Sequence, residues 1–96
     1  MKRHGDLLIV KVKVMPEGAV PHASRILAEG EATGHKHELD SGDVYEKDGV
    51  LYFKVNMGKI STLSHQEHHA LTFEAGIYKV VQQREYVPDG WRNVAD

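Results

Sequence analysis

Five of the seven histidines fall between positions 35 and 69, and four of them form two short pairs, His35-Lys36-His37 and His65-Gln66-Glu67-His68. In an extended strand, residues two apart share a face roughly 6.5–7 Å apart, so His35 and His37 can reach one ion from neighbouring directions. His65 and His68, three apart across a turn, can close from the opposite side if their segment lies against the first. The chemistry expected of such a gathering is capture of a divalent transition metal. Imidazole suits Zn, Ni, Cu and Fe, with zinc the first expectation. If one coordination position stays open to water, the centre would hydrolyse a small-molecule ligand, with Glu67 or Glu31 relaying protons. If four imidazoles fill it, the ion would be structural. The plainer alternative is a set of surface turn residues, or a neutral hydrogen-bonded cluster that responds to pH. His69 shares a face with Leu71 and Phe73 and is expected to cap the core. His4 and His22 are expected in solvent.

A second candidate is the run Gln82-Gln83-Arg84-Glu85-Tyr86, whose alternation puts Gln82, Arg84 and Tyr86 on one face. Arg84 with Tyr86 could offer a planar guanidinium to a carboxylate or phosphate ligand. The alternative is an internal ion pair with Glu29 or Glu31 across strands. The chain has no Gly-x-Ser-x-Gly, phosphate loop, dinucleotide fingerprint or His-Glu-x-x-His, so hydride and phosphoryl transfer are unsupported.

The elements that must position these residues read as β throughout. From Leu8 to Val14 the alternation sets Val10 and Val12 opposite Lys11 and Lys13, as in a half-buried strand. Met15 to Ser24, with Pro16, Gly18 and Pro21, reads as a loop. Ile26 to Gly34 reads as extended chain with one face, Ala28, Gly30, Ala32 and Gly34, nearly bare. Lys47-Asp48-Gly49 predicts a hairpin between Val44-Tyr45-Glu46 and the segment Val50 to Val55. Short strands follow at Ile60 to Ser64 and Ala70 to Glu74. Ile77 to Val87 is the longest candidate, apolar on both faces and so expected to be central. The whole is an all-β fold of about seven or eight short strands, a small β-barrel or cupin-like β-sandwich.

Ninety-six residues suit one domain, residues 1–96, because domains usually run to roughly 100–150. Twelve Lys and Arg against fourteen Asp and Glu give a net charge of -2, too little positive field for a nucleic-acid partner. No cysteine is present, which removes disulfides and thiolate chemistry. The longest apolar run is Leu7 to Val10, against the roughly 18–20 residues of a membrane span, so a cytoplasmic protein without membrane contact is the default. A chain this short buries a limited share of its surface, which favours a homo-oligomer.

The His-x-His pair on a strand resembles the first metal-binding motif of cupins, although Ser41 and Gly42 stand where that motif has its Glu. Three longer stretches are similar to a family of short uncharacterised bacterial and phage-borne proteins: Ala28 to His37, His65 to His68, and Gly76 to Tyr86. That likeness implies no activity; it favours His35, His37, His65 and His68 over His69 as a metal set. The rival from another class is a non-catalytic assembly module, for instance a phage-associated protein, whose bare Ala28, Gly30, Ala32 and Gly34 face and Leu8–Val14 strand pack against copies of itself.

Overall fold

A computed structural model describes residues 1–29 and 34–82, together with the backbone of 84–87 and 90–93. The chain is all-β, and no helix among these residues is long and apolar enough to cross a membrane. The strands are β1 (Lys2–His4), β2 (Leu7–Val12), β3 (Val20–Pro21), β4 (Ile26–Glu29), β5 (Lys36–Leu39) and β6 (Asp43–Lys47). They continue with β7 (Val50–Val55), β8 (Ser61–Ser64), β9 (Leu71–Phe73), β10 (Gly76–Gln82), β11 (Arg84–Val87) and β12 (Gly90–Asn93). One sheet runs β1-β2-β10-β7-β6-β3, a second runs β4-β5-β8-β9, and β11 pairs with β12. Every ladder is antiparallel, and among the described residues none closes into a barrel.

The two larger sheets share one core. The six-stranded sheet contributes Leu7, Ile9, Val44, Phe53, Val55, Tyr78 and Val80, and the four-stranded sheet Leu27, Leu39, Leu63 and Phe73. Strand alternation explains the selection, since residues two apart turn to the same side. Each fully buried Leu or Phe contributes about 1.5–3 kcal/mol relative to exposure.

Two turns set the registers that matter here. Asp48 and Gly49, with φ of 52° and 80°, form the two-residue loop between β6 and β7, where positive φ at both positions matches the right-handed strand twist. Gly5 and Asp6 join β1 to β2 with His4 opposite Leu7, and Gly5 takes a φ of 62°. Gly, with no Cβ, adopts that conformation without strain.

Several expectations are corrected. The inward residues of β2 are Leu7 and Ile9, whereas Leu8, Val10 and Val12 lie half-buried on the other side. Pairing with β1 and β10 fixes that parity, because His4, Ile9 and Val80 all turn inward together. Residues 15–24 are not all loop, since Val20–Pro21 pairs with β6. The long strand divides into β10 and β11, which belong to different ladders, although β10 is central between β2 and β7 as expected. Of the nearly bare face, Ala28 packs against the core, and Gly30 and Ala32 lie outside the described residues. The strands number twelve among the described residues because several are only two to four residues long.

Candidate functional site: a histidine cluster between the sheets

Inward alternation continues past the apolar core at one end, and there it carries polar side chains. On β5, Leu39 is followed inward by His37; beyond β8, the series Ser61, Leu63 leads to His65; beside Leu7 in the adjoining strand stands His4. His4, Asp6, His37 and His65 are all buried, His4 at 2% exposure and His37 at 0%. Ring centroids of His37 and His65 lie 4.4 Å apart, those of His65 and His68 4.5 Å, and those of His4 and His37 5.0 Å. His35 stands at the rim, its ring 5.3 Å from His65 and its Nδ1 3.5 Å from Glu67 Oε2.

The hydrogen bonds define which nitrogens carry protons. The carbonyl of His69 can only accept, so His4 Nε2, 2.9 Å away, donates to it. Burial lowers the pKa of His4 and keeps its ring neutral, which leaves Nδ1 as a lone pair. His37 Nδ1, 2.8 Å from that lone pair, therefore donates. Burial first, then the neighbouring His65 and His4, push the pKa of His37 down to about 4, while Asp6 opposes the shift. A neutral His37 whose proton sits on Nδ1 turns a lone pair on Nε2 toward Asp6 Oδ1, 3.3 Å away. Both atoms are buried, and neither has a hydrogen-bond partner among the described residues.

The remaining polar groups hold this pair in place. Gln82 Nε2 donates to Asp6 Oδ2 across 3.1 Å, which leaves Oδ1 aimed at His37. The Glu67 backbone N–H donates to His65 Nδ1, so the neutral His65 ring carries its proton on Nε2. His68 Nε2 is buried, has no hydrogen-bond partner among the described residues, and lies beside Gly5. A Cβ on Gly5 would stand 2.7 Å from His68 Nε2 and 3.0 Å from His37 Cε1.

All four histidines of the anticipated set thus lie in one region, but with unequal geometry. Among the described residues, no three His, Asp or Glu side chains already surround a common point as metal ligands. His37 and His68 each bring to the interior an Nε2 without a hydrogen-bond partner among the described residues; His65 presents a donor, and His35 stands at the rim with Glu67. Glu67 is exposed, and Glu31 lies outside the described residues, as do the side chains of Arg84 and Tyr86. His4, expected in solvent, is instead central, because the β1–β2 hairpin turns it onto the core face. His22 is half-buried, 3.8 Å from Glu46, and His69 is exposed with its carbonyl engaged by His4.

The sequence reading missed His4 and Asp6. The signal was Gly5-Asp6 itself, a dipeptide suited to a two-residue hairpin loop. Reading it would have begun the sheet at Lys2 and turned His4 inward.

No curated protein and no solved structure matches this chain. Residues 3–83 match the family described as Domain of unknown function (DUF8820), and the chain belongs to that family.

Proposed function

We propose that this domain binds one divalent transition-metal ion, zinc first, through Asp6 Oδ1, His37 Nε2 and His68 Nε2. One observation carries the reading: His37 Nε2 faces Asp6 Oδ1 at 3.3 Å inside the protein, neither atom has a hydrogen-bond partner among the described residues, and a neutral His37 with its proton on Nδ1 would set a lone pair against the carboxylate. Two acceptors so placed repel unless a cation lies between them. Donors bonded at about 2.0–2.1 Å to one tetrahedral ion stand roughly 3.3 Å apart, which matches the separation found. His68 Nε2 would swing in from beside Gly5 as third donor. A mixed nitrogen and oxygen set suits zinc and its neighbours rather than magnesium or calcium.

The role that burial favours is a staple. The three donors come from the β1–β2 turn, from β5 and from the segment after β8, so one ion would tie the two sheets together at their polar end. Metal ties of this kind supplement the limited core of a small domain. Hydrolysis by a metal-activated water, with Glu67 relaying protons, would require substrate to reach donor atoms that are sealed from solvent.

Elemental analysis of untagged protein after zinc loading and dialysis tests the reading. Wild type and His35→Ala should retain one equivalent, and Asp6→Asn and His37→Gln should retain none. A metal-free wild type, or uptake indifferent to both substitutions, would overturn it.

A second reading, homo-oligomeric assembly, is favoured by the outward face of the six-stranded sheet. There Val12 pairs with Ile77, Val10 and Tyr52 flank Lys79, and Tyr45 pairs with Tyr52, all half-buried on the side away from the core. Such a face would seat a second copy of the chain. Sedimentation velocity across a range of concentrations tests it: an invariant monomer removes this reading and leaves the metal site untouched.

A further inference from the structure

The segment that offers His68 as a donor also supplies, one residue later, the His69 carbonyl that accepts the His4 proton. We infer that His4 is a positioning residue: it senses the place of the 65–69 segment through the His69 carbonyl and passes that information to His37 as the tautomer able to bind a cation. The inference rests on the metal site proposed above and deepens it.

Two distances define the chain of contacts. His4 Nε2–H reaches the His69 oxygen at 2.9 Å, and His37 Nδ1–H reaches His4 Nδ1 at 2.8 Å. Each bond dictates the next. A carbonyl has no proton to give, so His4 cannot reverse its tautomer while the contact stands. His37 then cannot move its proton from Nδ1 to Nε2 without setting two lone pairs against each other at Nδ1. Metal-bound histidines ordinarily give their other ring N–H to a carboxylate, a carbonyl or water, which fixes ring and tautomer. Here a second imidazole, itself held by a carbonyl, takes that place.

The arrangement makes two requirements of the site coincide. If the 65–69 segment is docked, His68 stands beside Gly5 and His37 presents a lone pair. If it departs, the third donor leaves and His4 loses the acceptor that fixed its tautomer, so His37 regains the option of donating Nε2–H to Asp6. In that form His37 and Asp6 satisfy each other and the cation is not needed. His4 would thereby couple loop docking to metal affinity without touching the ion.

Nitrogen-15 correlation spectra of the metal-free wild type at neutral pH read the tautomers directly. The expected result is a proton on Nδ1 of His37 and on Nε2 of His4; a proton on Nε2 of His37 overturns the relay. Zinc competition then compares His4→Gln with His4→Leu. The glutamine amide repeats the acceptor and donor of the imidazole edge, so it should hold affinity within about threefold, whereas leucine should weaken it roughly 10–100-fold. Equal loss in both variants would reduce His4 to a packing role, and equal retention would remove it from the site; either overturns the inference. If wild type takes up no zinc, the metal reading falls, and the spectra alone decide whether the relay exists.

Discussion

The interior has two ends built from the same strands by the same alternation, and they are held in opposite ways. At the apolar end the rings of Phe53, Phe73 and Tyr78 lie 4.9–5.3 Å apart, two of the three pairs steeply inclined and Phe53 nearly parallel to Tyr78. At the other end the nearest imidazole pairs lie at comparable distances, 4.4–5.0 Å. The first group is satisfied by contact alone, with the Tyr78 hydroxyl donating to the Glu74 carbonyl. The second has ring nitrogens whose lone pairs and protons must each find a partner, and any proton added to one ring raises the cost of a proton on its neighbours. Ring packing therefore suffices at one end, whereas the other depends as well on how its protons and lone pairs are partnered.

Loss of a ring at the apolar end should be the costliest change. Phe53→Ala should cost about 3–5 kcal/mol, because it opens a cavity where Phe53 touches both other rings. Urea denaturation should show that loss with and without zinc, since no donor is touched. A loss below about 1 kcal/mol would mean the two ends do not differ as described.

Zinc should act only on the other end. At a free concentration near 100 times the dissociation constant it should add about 2.7 kcal/mol to unfolding stability, seen as a higher urea midpoint. The increment should vanish in Asp6→Asn and His37→Gln and persist in His35→Ala. Its persistence in the first two would show that another set of atoms holds the ion.

Acid should also separate the ends. The pKa of His37 lies near 4 in the folded protein, below its ordinary value of 6.5, so the unfolded chain binds the extra proton between these limits. Stability of the metal-free protein therefore falls as pH drops from about 6.5 to about 4, by on the order of 2–3 kcal/mol from this group. His37→Gln should flatten that slope. An unchanged slope in the variant would assign the acid sensitivity elsewhere.

Part of the apolar end was legible in the sequence because Phe53, Leu63 and Phe73 fall in the segments Val50 to Val55, Ile60 to Ser64 and Ala70 to Glu74, which read as strands between turns, whereas the segment of Leu39 was not read as one. The β6–β7 hairpin was readable from Asp48-Gly49. The parity of β2 was not, because Leu7-Leu8-Ile9-Val10 is apolar on both faces and only pairing with β1 decides which face turns inward. That single ambiguity concealed His4 and Asp6. The two histidine pairs were visible as spacing, but their unequal roles depend on hydrogen bonds to the backbone of Glu67 and His69, which spacing does not encode. The division of Ile77 to Val87 into β10 and β11 followed no Pro or Gly and had no local signal.

The smallest expected effect compares two glycines. Gly5 and Gly49 both have positive φ, 62° and 80°, so alanine at either should cost about 1–2 kcal/mol in backbone strain. Their surroundings differ. A Cβ at Gly49 meets nothing within 4 Å, whereas one at Gly5 falls 2.7 Å from His68 Nε2. Gly49→Ala should lower the urea midpoint and leave zinc affinity alone. Gly5→Ala should lower the midpoint by a similar amount and also weaken zinc binding by about tenfold, because His68 is displaced from its approach to His37 and Asp6. Matching zinc affinities in the two variants would remove His68 from the donor set, since the contact that distinguishes the glycines is the one to that ring.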